Sequence, residues 1–224
     1  RSRKATLSAP ASAVSGMSAD MKDGFAAYDA WTDPHPAVTG TTDYSCVRNN
    51  IVAIGDSLAM VSYGHPNTLP ATVDLMLEHC RAVRRGAPNT FSLVAMPYGS
   101  YANPAIAVQN ALRFMKEGQV DCVKMQGGRA QMPIIKAIAD AGVPVMSHVG
   151  MCPHFVHKYG GFKLQGRTAE DALQIIDDAR AIQEAGAIGL EIEAVPAPVG
   201  RAVHEAVDIF TFSIGAGPSG CAQL

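Results

Sequence analysis

From about residue 36 onward, hydrophobic and polar positions alternate between two patterns. Short runs rich in β-branched residues are followed by longer segments in which apolar residues recur at helical spacing. The runs predict strands at 37–42, 51–55, 91–95, 122–125, 143–148, 189–193 and 209–214. The longer segments predict helices at 72–84, 104–117, 133–140, 170–185 and 198–207. This alternation is typical of parallel strands joined by crossover helices.

The alternation predicts an α/β fold of the (β/α)8 TIM-barrel kind, but an incomplete one. Residues 43–50 are too few to hold a crossover helix between the first two predicted strands. The chain also stops soon after the seventh predicted strand, whereas a full barrel has an eighth strand and helix. We therefore expect a barrel domain over 36–224 with about seven recognisable strands, preceded by an N-terminal tail over 1–35.

Composition narrows the class of protein. The chain is 48% hydrophobic and 17% charged, which is typical of a domain with a large buried core. A formal net charge of −2 does not suit a general nucleic-acid binder, and no apolar run is long enough to span a membrane. The 5 cysteines form no CxxC pair, so neither a disulfide framework nor a zinc site is expected. Small molecules are the expected partners.

The first twenty residues have their own composition. Arg1, Arg3 and Lys4 lie among serine and alanine, and no acidic residue precedes Asp20. An organellar transit peptide has this composition, which predicts a mitochondrial location. A disordered tail explains the same residues, and the alternative location is cytoplasmic.

Polar side chains follow most of the predicted strands. In a barrel the carboxyl ends of the strands meet on one face, where active sites form. The residues found there are Asp56, Ser57, Lys124, His148, Glu191 and Glu193. Acids, a lysine and a histidine at one mouth suit enolisation of a carbonyl compound with a metal or another cation holding the oxyanion. Either of the two glutamates could instead be a structural ion-pair partner, and their spacing does not choose between them.

Each of the other candidates also has a structural explanation. Asp56 or Ser57 could cap whatever follows its strand. Lys124 could be a solvated strand end. His148, at the end of an apolar run, could be a hydrogen-bonded core histidine. The spacing alone leaves these alternatives open.

Several motifs carry a resemblance to a known family. They include residues 54–58 (Ile-Gly-Asp-Ser-Leu), 68–73 (Thr-Leu-Pro-Ala-Thr-Val), 96–101 (Met-Pro-Tyr-Gly-Ser-Tyr), 160–163 (Gly-Gly-Phe-Lys) and 193–196 (Glu-Ala-Val-Pro). In their order and spacing over about 37–220, they resemble the ketopantoate hydroxymethyltransferase family.

The resemblance implies a magnesium-dependent transfer in pantothenate biosynthesis. A hydroxymethyl group passes from 5,10-methylenetetrahydrofolate to 3-methyl-2-oxobutanoate and gives 2-dehydropantoate. By motif, Asp56 is a Mg²⁺ ligand and, with Ser57, contacts the oxo acid, while Lys124 and His148 bind substrate. Glu193 stands at the position of the catalytic acid/base. Family members assemble into rings, so a homo-oligomer is expected.

Two departures from the family pattern concern the metal. Where the family has an acidic ligand before the Met-Pro pair, Ala95 runs directly into Met96, and Gln126 stands at a metal-site position where the family has glutamate. The alternative function is therefore a catalytically impaired paralogue or a fragment that acts as a binding or assembly subunit. A relative of phosphoenolpyruvate mutases or lyases shares the chemistry but matches the motifs less well.

Overall fold

The structure of the chain, a computed structural model, describes residues 51–218 and 222–223. The predicted strand at 37–42, the short segment 43–50 and the predicted tail over 1–35 lie outside the described residues. The described strands are β1 (Ile51–Ile54), β2 (Phe91–Ala95), β3 (Cys122–Lys124), β4 (Val145–Gly150), β5 (Gly189–Glu193), β6 (Phe210–Ile214) and β7 (Ala222–Gln223). The described α-helices are α1 (Leu58–Val61), α2 (Val73–Gly86), α3 (Pro104–Glu117), α4 (Met132–Asp140), α5 (Val156–Tyr159), α6 (Ala169–Glu184) and α7 (Ala197–Glu205).

The parallel pairing and the strand–helix order confirm the α/β class, with the elements of an incomplete (β/α) barrel among the described residues. The elements β2, β5 and α3 have the predicted bounds. β4 begins two residues later than predicted, because the Val143 amide donates back to the Ile138 carbonyl at 3.2 Å and closes α4. It continues to Gly150, which pairs with Glu193 of β5.

The described part of the chain divides into two compact units. The first unit holds residues 51–125 and 137–145, and the second holds 126–136, 146–218 and 222–223. In the first unit β1, β2 and β3 pair in parallel, with Ile54 opposite Val94 and Ala95 opposite Lys124. The carboxyl ends of these three strands therefore share one edge of the sheet.

Two amphipathic helices cover the strands of the first unit. Helix α2 contacts β1 and β2, and α3 contacts β3 and α2. Their buried residues recur at helical spacing: Met76, Leu77 and Cys80 on α2, and Ala107, Ala111 and Phe114 on α3. The Thr72 side chain accepts from the Leu75 amide and fixes the start of α2, as Asn103 does for α3 with the Ile106 amide.

In the second unit β4 to β7 pair in parallel, with His148 opposite Glu191 and Gly150 opposite Glu193. Side chains alternate between the faces of a strand, so His148, Glu191 and Glu193 point to the same face. Helix α6 contacts β5 and α7. It buries Ile175, Ala179, Ala181 and Ile182.

Several short elements were outside the sequence prediction. One is the two-residue strand β7. The others are the helices α1 and α5 and the 3-10 turns Arg129–Gln131 and Pro153–Phe155. Each of these helical elements is only one turn long, and a single turn leaves too little periodicity in the sequence to be recognised. Within the residues that the structure describes, no helix has the length and apolar character needed to cross a membrane.

Candidate functional site

Three ionisable side chains meet at the carboxyl ends of β4 and β5. His148 Nε2 lies 3.2 Å from Glu193 Oε2, and His148 Nδ1 lies 3.6 Å from Glu191 Oε1. His148 and Glu191 are buried, whereas 23% of the Glu193 side chain is exposed. One ligand-type atom of each residue lies within 4.8 Å of those of the other two. The imidazole therefore lies between two carboxylates, only one of which reaches solvent.

The surroundings of His148 do not match those of a hydrogen-bonded core histidine. Neither ring nitrogen has a hydrogen-bond partner in the described part of the chain, although only 1% of the residue is exposed. The 3.6 Å approach of Glu191 is too long for a hydrogen bond. A buried polar group without a partner is costly, so it points to an interaction with something that this site binds.

The backbone beside the site is tightly constrained. Gly150 has φ +89°, and the next amide, that of Met151, donates to the Glu193 carbonyl at 2.9 Å. Ala194, directly after Glu193, has φ +44°, a left-handed conformation that non-glycine residues rarely adopt. Strained backbone of this kind clusters at functional sites, where surrounding contacts hold it in place. The ends of β4 and β5 are thereby fixed against each other.

Gln126 stands where the family has a metal-site glutamate; it is buried, and its side chain accepts a hydrogen bond. Its Oε1 accepts from the His154 amide at 2.9 Å. The following glycine pair lets the chain turn under α6, where Asp178 Oδ1 accepts from the Arg129 amide at 2.9 Å. A Cβ on Gly128 would overlap the Asp178 carboxylate. This close approach explains Gly128, and φ +122° explains Gly127.

Lys124 and Asp56 belong to the first unit, at its shared strand edge. Lys124 is the last residue of β3 and Asp56 follows β1 by two residues, and both are buried. The expectation that Lys124 could be a solvated strand end is therefore wrong. A charged lysine or aspartate is rarely buried without a partner, and both residues do have interactions.

Ser57 is exposed and lies at the N-cap position of α1, where its side chain makes no capping hydrogen bond. The capping explanation is therefore not supported for Ser57. Ser57 directly follows Asp56, so it lies at the same strand edge of the first unit.

A cavity of about 550 Å³ lies beside the histidine in the second unit. Its lining includes His148, Gly150, Phe155, Tyr159 and Gln165. Burial is the main cause that raises the pKa of the Tyr159 phenol above its usual range, so this side chain lines the cavity as a neutral group. The cavity has room for a small organic molecule. His148 is among its lining residues, whereas Glu191 and Glu193 are not.

The structure thus brings together His148 and Glu193 of the predicted set, and adds Glu191 to them. Asp56, Ser57 and Lys124 lie at the strand edge of the first unit. The sequence carried a signal for Glu191, its position two residues before Glu193, but not for the contacts of Gln126. An imidazole next to a partly exposed carboxylate is suited to accepting and returning a proton.

Known proteins resemble this chain closely in sequence. Residues 37–224 match the family model described as ketopantoate hydroxymethyltransferase. The chain is 53% identical over 172 residues to 3-methyl-2-oxobutanoate hydroxymethyltransferase 1 of Methylibium petroleiphilum, covering 77% of this chain. It is 49% identical over 169 residues to 3-methyl-2-oxobutanoate hydroxymethyltransferase of Alkaliphilus metalliredigens, covering 75% of this chain. It is also 49% identical over 171 residues to 3-methyl-2-oxobutanoate hydroxymethyltransferase 2, mitochondrial, of Oryza sativa subsp. japonica, again covering 75%.

The chain spans only 58%, 60% and 43% of the lengths of these three relatives, respectively. Among solved structures, it is similar to a Burkholderia cenocepacia J2315 protein described as a lyase/mutase. The TM-score is 0.60 at 16% identity, covering 86% of this chain and 72% of the other. At that identity the likeness concerns the fold alone.

Proposed function

Because the chain belongs to the ketopantoate hydroxymethyltransferase family, we propose that it transfers a hydroxymethyl group from 5,10-methylenetetrahydrofolate to 3-methyl-2-oxobutanoate. The product is 2-dehydropantoate, and the reaction serves pantothenate biosynthesis. The observation that carries the proposal is the contact between His148 and the partly exposed Glu193 at the strand ends.

Glu193 is the proposed base that removes the proton from C3 of the oxo acid. Its side chain is the one member of the cluster with substantial exposure, so a substrate can reach it. His148 Nε2 lies 3.2 Å from the Glu193 carboxylate. It is therefore placed to stabilise the negative charge that this carboxylate carries before it accepts the proton and after it returns it. C3 of the resulting enolate forms a bond to the one-carbon unit, water supplies the hydroxyl oxygen, and both bonds from that carbon to the folate nitrogens break, so that tetrahydrofolate leaves.

The remaining proposed roles concern substrate binding. Lys124 is buried, and a buried ammonium group interacts more strongly with a substrate anion than an exposed one does. We assign it and His148 to the oxo acid. The family motif assigns Asp56 and Ser57, which follow β1, to the oxo acid as well.

Magnesium is the proposed metal, and its donor set here is reduced. Asp56 offers a buried carboxylate, an oxygen ligand of the type that Mg²⁺ requires. Gln126 offers an amide oxygen that already accepts a backbone hydrogen bond, and Ala95 is followed directly by Met96. The residues therefore fit Mg²⁺ through one carboxylate, completed by water. When bound, the ion supplies Lewis-acid stabilisation of the enolate.

Isotope exchange tests this proposal at its first step. Deuterium exchange at C3 of 3-methyl-2-oxobutanoate is followed by NMR with and without Mg²⁺, for the natural chain and for Glu193→Gln. We expect exchange above the buffer rate that rises with Mg²⁺ and falls about 100-fold or more in the variant. Exchange at the buffer rate under all conditions would defeat the proposed catalysis.

One observation favours a second candidate, a catalytically impaired paralogue or fragment that binds substrate or joins an assembly. The amide of Gln126 replaces a metal-site acid and is held by the His154 amide, so the substitution is built into the local structure. Binding of the oxo acid without exchange, together with copurification of a full-length family member, would favour this candidate.

We also propose a homo-oligomeric state and a mitochondrial location. The family resemblance supports the first, and the words "mitochondrial" in the names of two rice relatives support the second. Light scattering of the purified chain tests the oligomeric state. A fluorescent fusion of residues 1–35 tests whether they direct a protein to mitochondria, the alternative location being the cytoplasm.

A further inference from the structure

The cluster of His148, Glu191 and Glu193 offers a donor set for a metal ion. The three residues belong to one compact unit and lie on the facing strands β4 and β5. An imidazole and two carboxylates are ligands that Zn²⁺, Mn²⁺ and Co²⁺ accept, whereas Mg²⁺ prefers oxygen ligands alone. The composition of the cluster therefore favours a transition metal over magnesium.

The state of His148 is an independent sign that the cluster binds a ligand. Both ring nitrogens are buried and make no hydrogen bond within the described residues, although a carboxylate faces each of them. A neutral imidazole has one N–H and one lone pair, so it cannot donate to two carboxylates at once. Since neither carboxylate is in hydrogen-bonding geometry with a ring nitrogen, a lone pair of the imidazole is available to a cation, which both carboxylates would also attract.

The geometry allows a cation. Three atoms with mutual distances of at most 4.8 Å have a common point about 2.8 Å or less from each, and zinc bonds to nitrogen and oxygen are about 2.0–2.2 Å long. One ion takes only one imidazole nitrogen, so with His148 Nε2 and Glu193 as ligands the Glu191 carboxylate, now 3.6 Å from Nδ1, has to turn towards the ion. The exposed 23% of the Glu193 side chain provides a route for the ion.

We propose that His148, Glu191 and Glu193 bind one transition-metal ion, such as Zn²⁺, and that the bound ion inhibits catalysis. Glu193 cannot accept a substrate proton while its carboxylate ligates a metal. The proposed metal binding does not depend on the proposed function. The inhibition rests on that function, since it requires Glu193 to be the base.

Titration of the purified full chain with Co²⁺ tests the site directly. Cobalt(II) substitutes for zinc and reports its ligands through visible absorption bands. We expect one ion per chain, displaced by Zn²⁺ and not by equimolar Mg²⁺. Glu191→Gln keeps the size of the side chain but removes its charge, and it should weaken binding at least about tenfold. Glu205→Gln, the same change at an exposed position, should leave binding unchanged.

Folding is checked by circular dichroism, and His148→Asn provides a second variant if Glu191→Gln does not fold. Absence of Co²⁺ binding to the natural chain overturns the site. So does binding that both cluster variants retain at full strength. If Co²⁺ binds as expected, Zn²⁺ should also abolish C3 exchange at the occupancy measured in the titration; exchange that persists at full occupancy overturns the inhibition. A chain with no exchange in any condition refutes the proposed function, whereas the binding result is read independently.

Discussion

Replacement of Gly150 by alanine tests how tightly β4 and β5 are held together beside the site. The residue has φ +89°, and a Cβ built on it would overlap the Glu193 carbonyl oxygen and lie 2.8 Å from Val195 Cγ1. The overlapped atom is backbone, which cannot rotate away. Gly150→Ala must therefore displace the end of β4 from the residue that carries the proposed base.

The expected loss of stability has two parts. A left-handed conformation costs an alanine about 1–2 kcal/mol, and forcing an extra methyl group into a packed region costs about 1–3 kcal/mol. Gly142 separates these parts, because it has φ +80° and a Cβ there would have no atom within 4 Å. We expect Gly142→Ala to show only the first part, about 1–2 kcal/mol, and Gly150→Ala about 2–5 kcal/mol in all.

Urea unfolding of both variants measures the two losses, and C3 exchange measures the effect on the site. Gly142→Ala should exchange as the natural chain does, whereas Gly150→Ala should exchange more slowly even when it is fully folded. Equal free energies of unfolding for the two variants would refute the reasoning, because the only difference invoked between the two positions is the contact with Glu193 and Val195.

Three further predictions concern the metal, the cap of α2 and the buried thiol of Cys80. Gln126→Glu should restore an acid at the family metal position and tighten Mg²⁺ binding at least about tenfold, on the order of 1.4 kcal/mol, as measured by calorimetry; unchanged affinity would contradict the assignment of this position. Thr72→Ala should lose the cap of α2 and lower the free energy of unfolding by about 1 kcal/mol, and a loss below the error of a urea titration would count against the cap. Burial raises the pKa of the Cys80 thiol from 9.0 to about 12. The folded chain therefore holds this proton more tightly than the unfolded chain, and stability should fall as pH rises from 9.0 towards about 12. Unfolding measured across that range should show a shallower fall for Cys80→Ala, and identical slopes would be the contrary result.

Much of the fold was predictable because strong local patterns determine it. The run at Phe91–Ala95 and the amphipathic segment Pro104–Glu117 have the bounds read from the sequence. The predicted end of α4 at residue 140 was correct, but the predicted start of β4 was wrong by two residues. That boundary follows from the Schellman ending of α4, in which the Val143 amide donates to the Ile138 carbonyl and left-handed Gly142 donates to the Ala139 carbonyl.

The candidate site was predictable in part. The rule that strand ends carry function identified His148 and Glu193, and the structure brings them into contact. The same rule could not predict that Lys124 is buried, because the burial of a residue at a strand end depends on which other residues pack over that end. The role of Glu191 was open as well. Two glutamates on one strand face look alike in sequence, and only the distances to the two nitrogens of His148 distinguish them.

The contacts of Gln126 were beyond sequence reasoning. The amide-for-acid change was visible, but its hydrogen bond from His154 joins residues 28 positions apart. The same holds for Asp178, whose carboxylate meets the Arg129 amide across 49 positions. Contacts between distant residues of this kind depend on tertiary packing and leave no local periodicity to read.

The central claim is that Glu193, beside His148, is the base of a hydroxymethyl transfer. The most direct test supplies 5,10-methylenetetrahydrofolate labelled with ¹³C in its one-carbon unit and follows the label by NMR. The claim predicts that the natural chain and Glu205→Gln place the label in 2-dehydropantoate, whereas Glu193→Gln does so about 100-fold more slowly or not at all. Label transfer at equal rates by the natural chain and Glu193→Gln would contradict the claim, as would a natural chain that transfers no label.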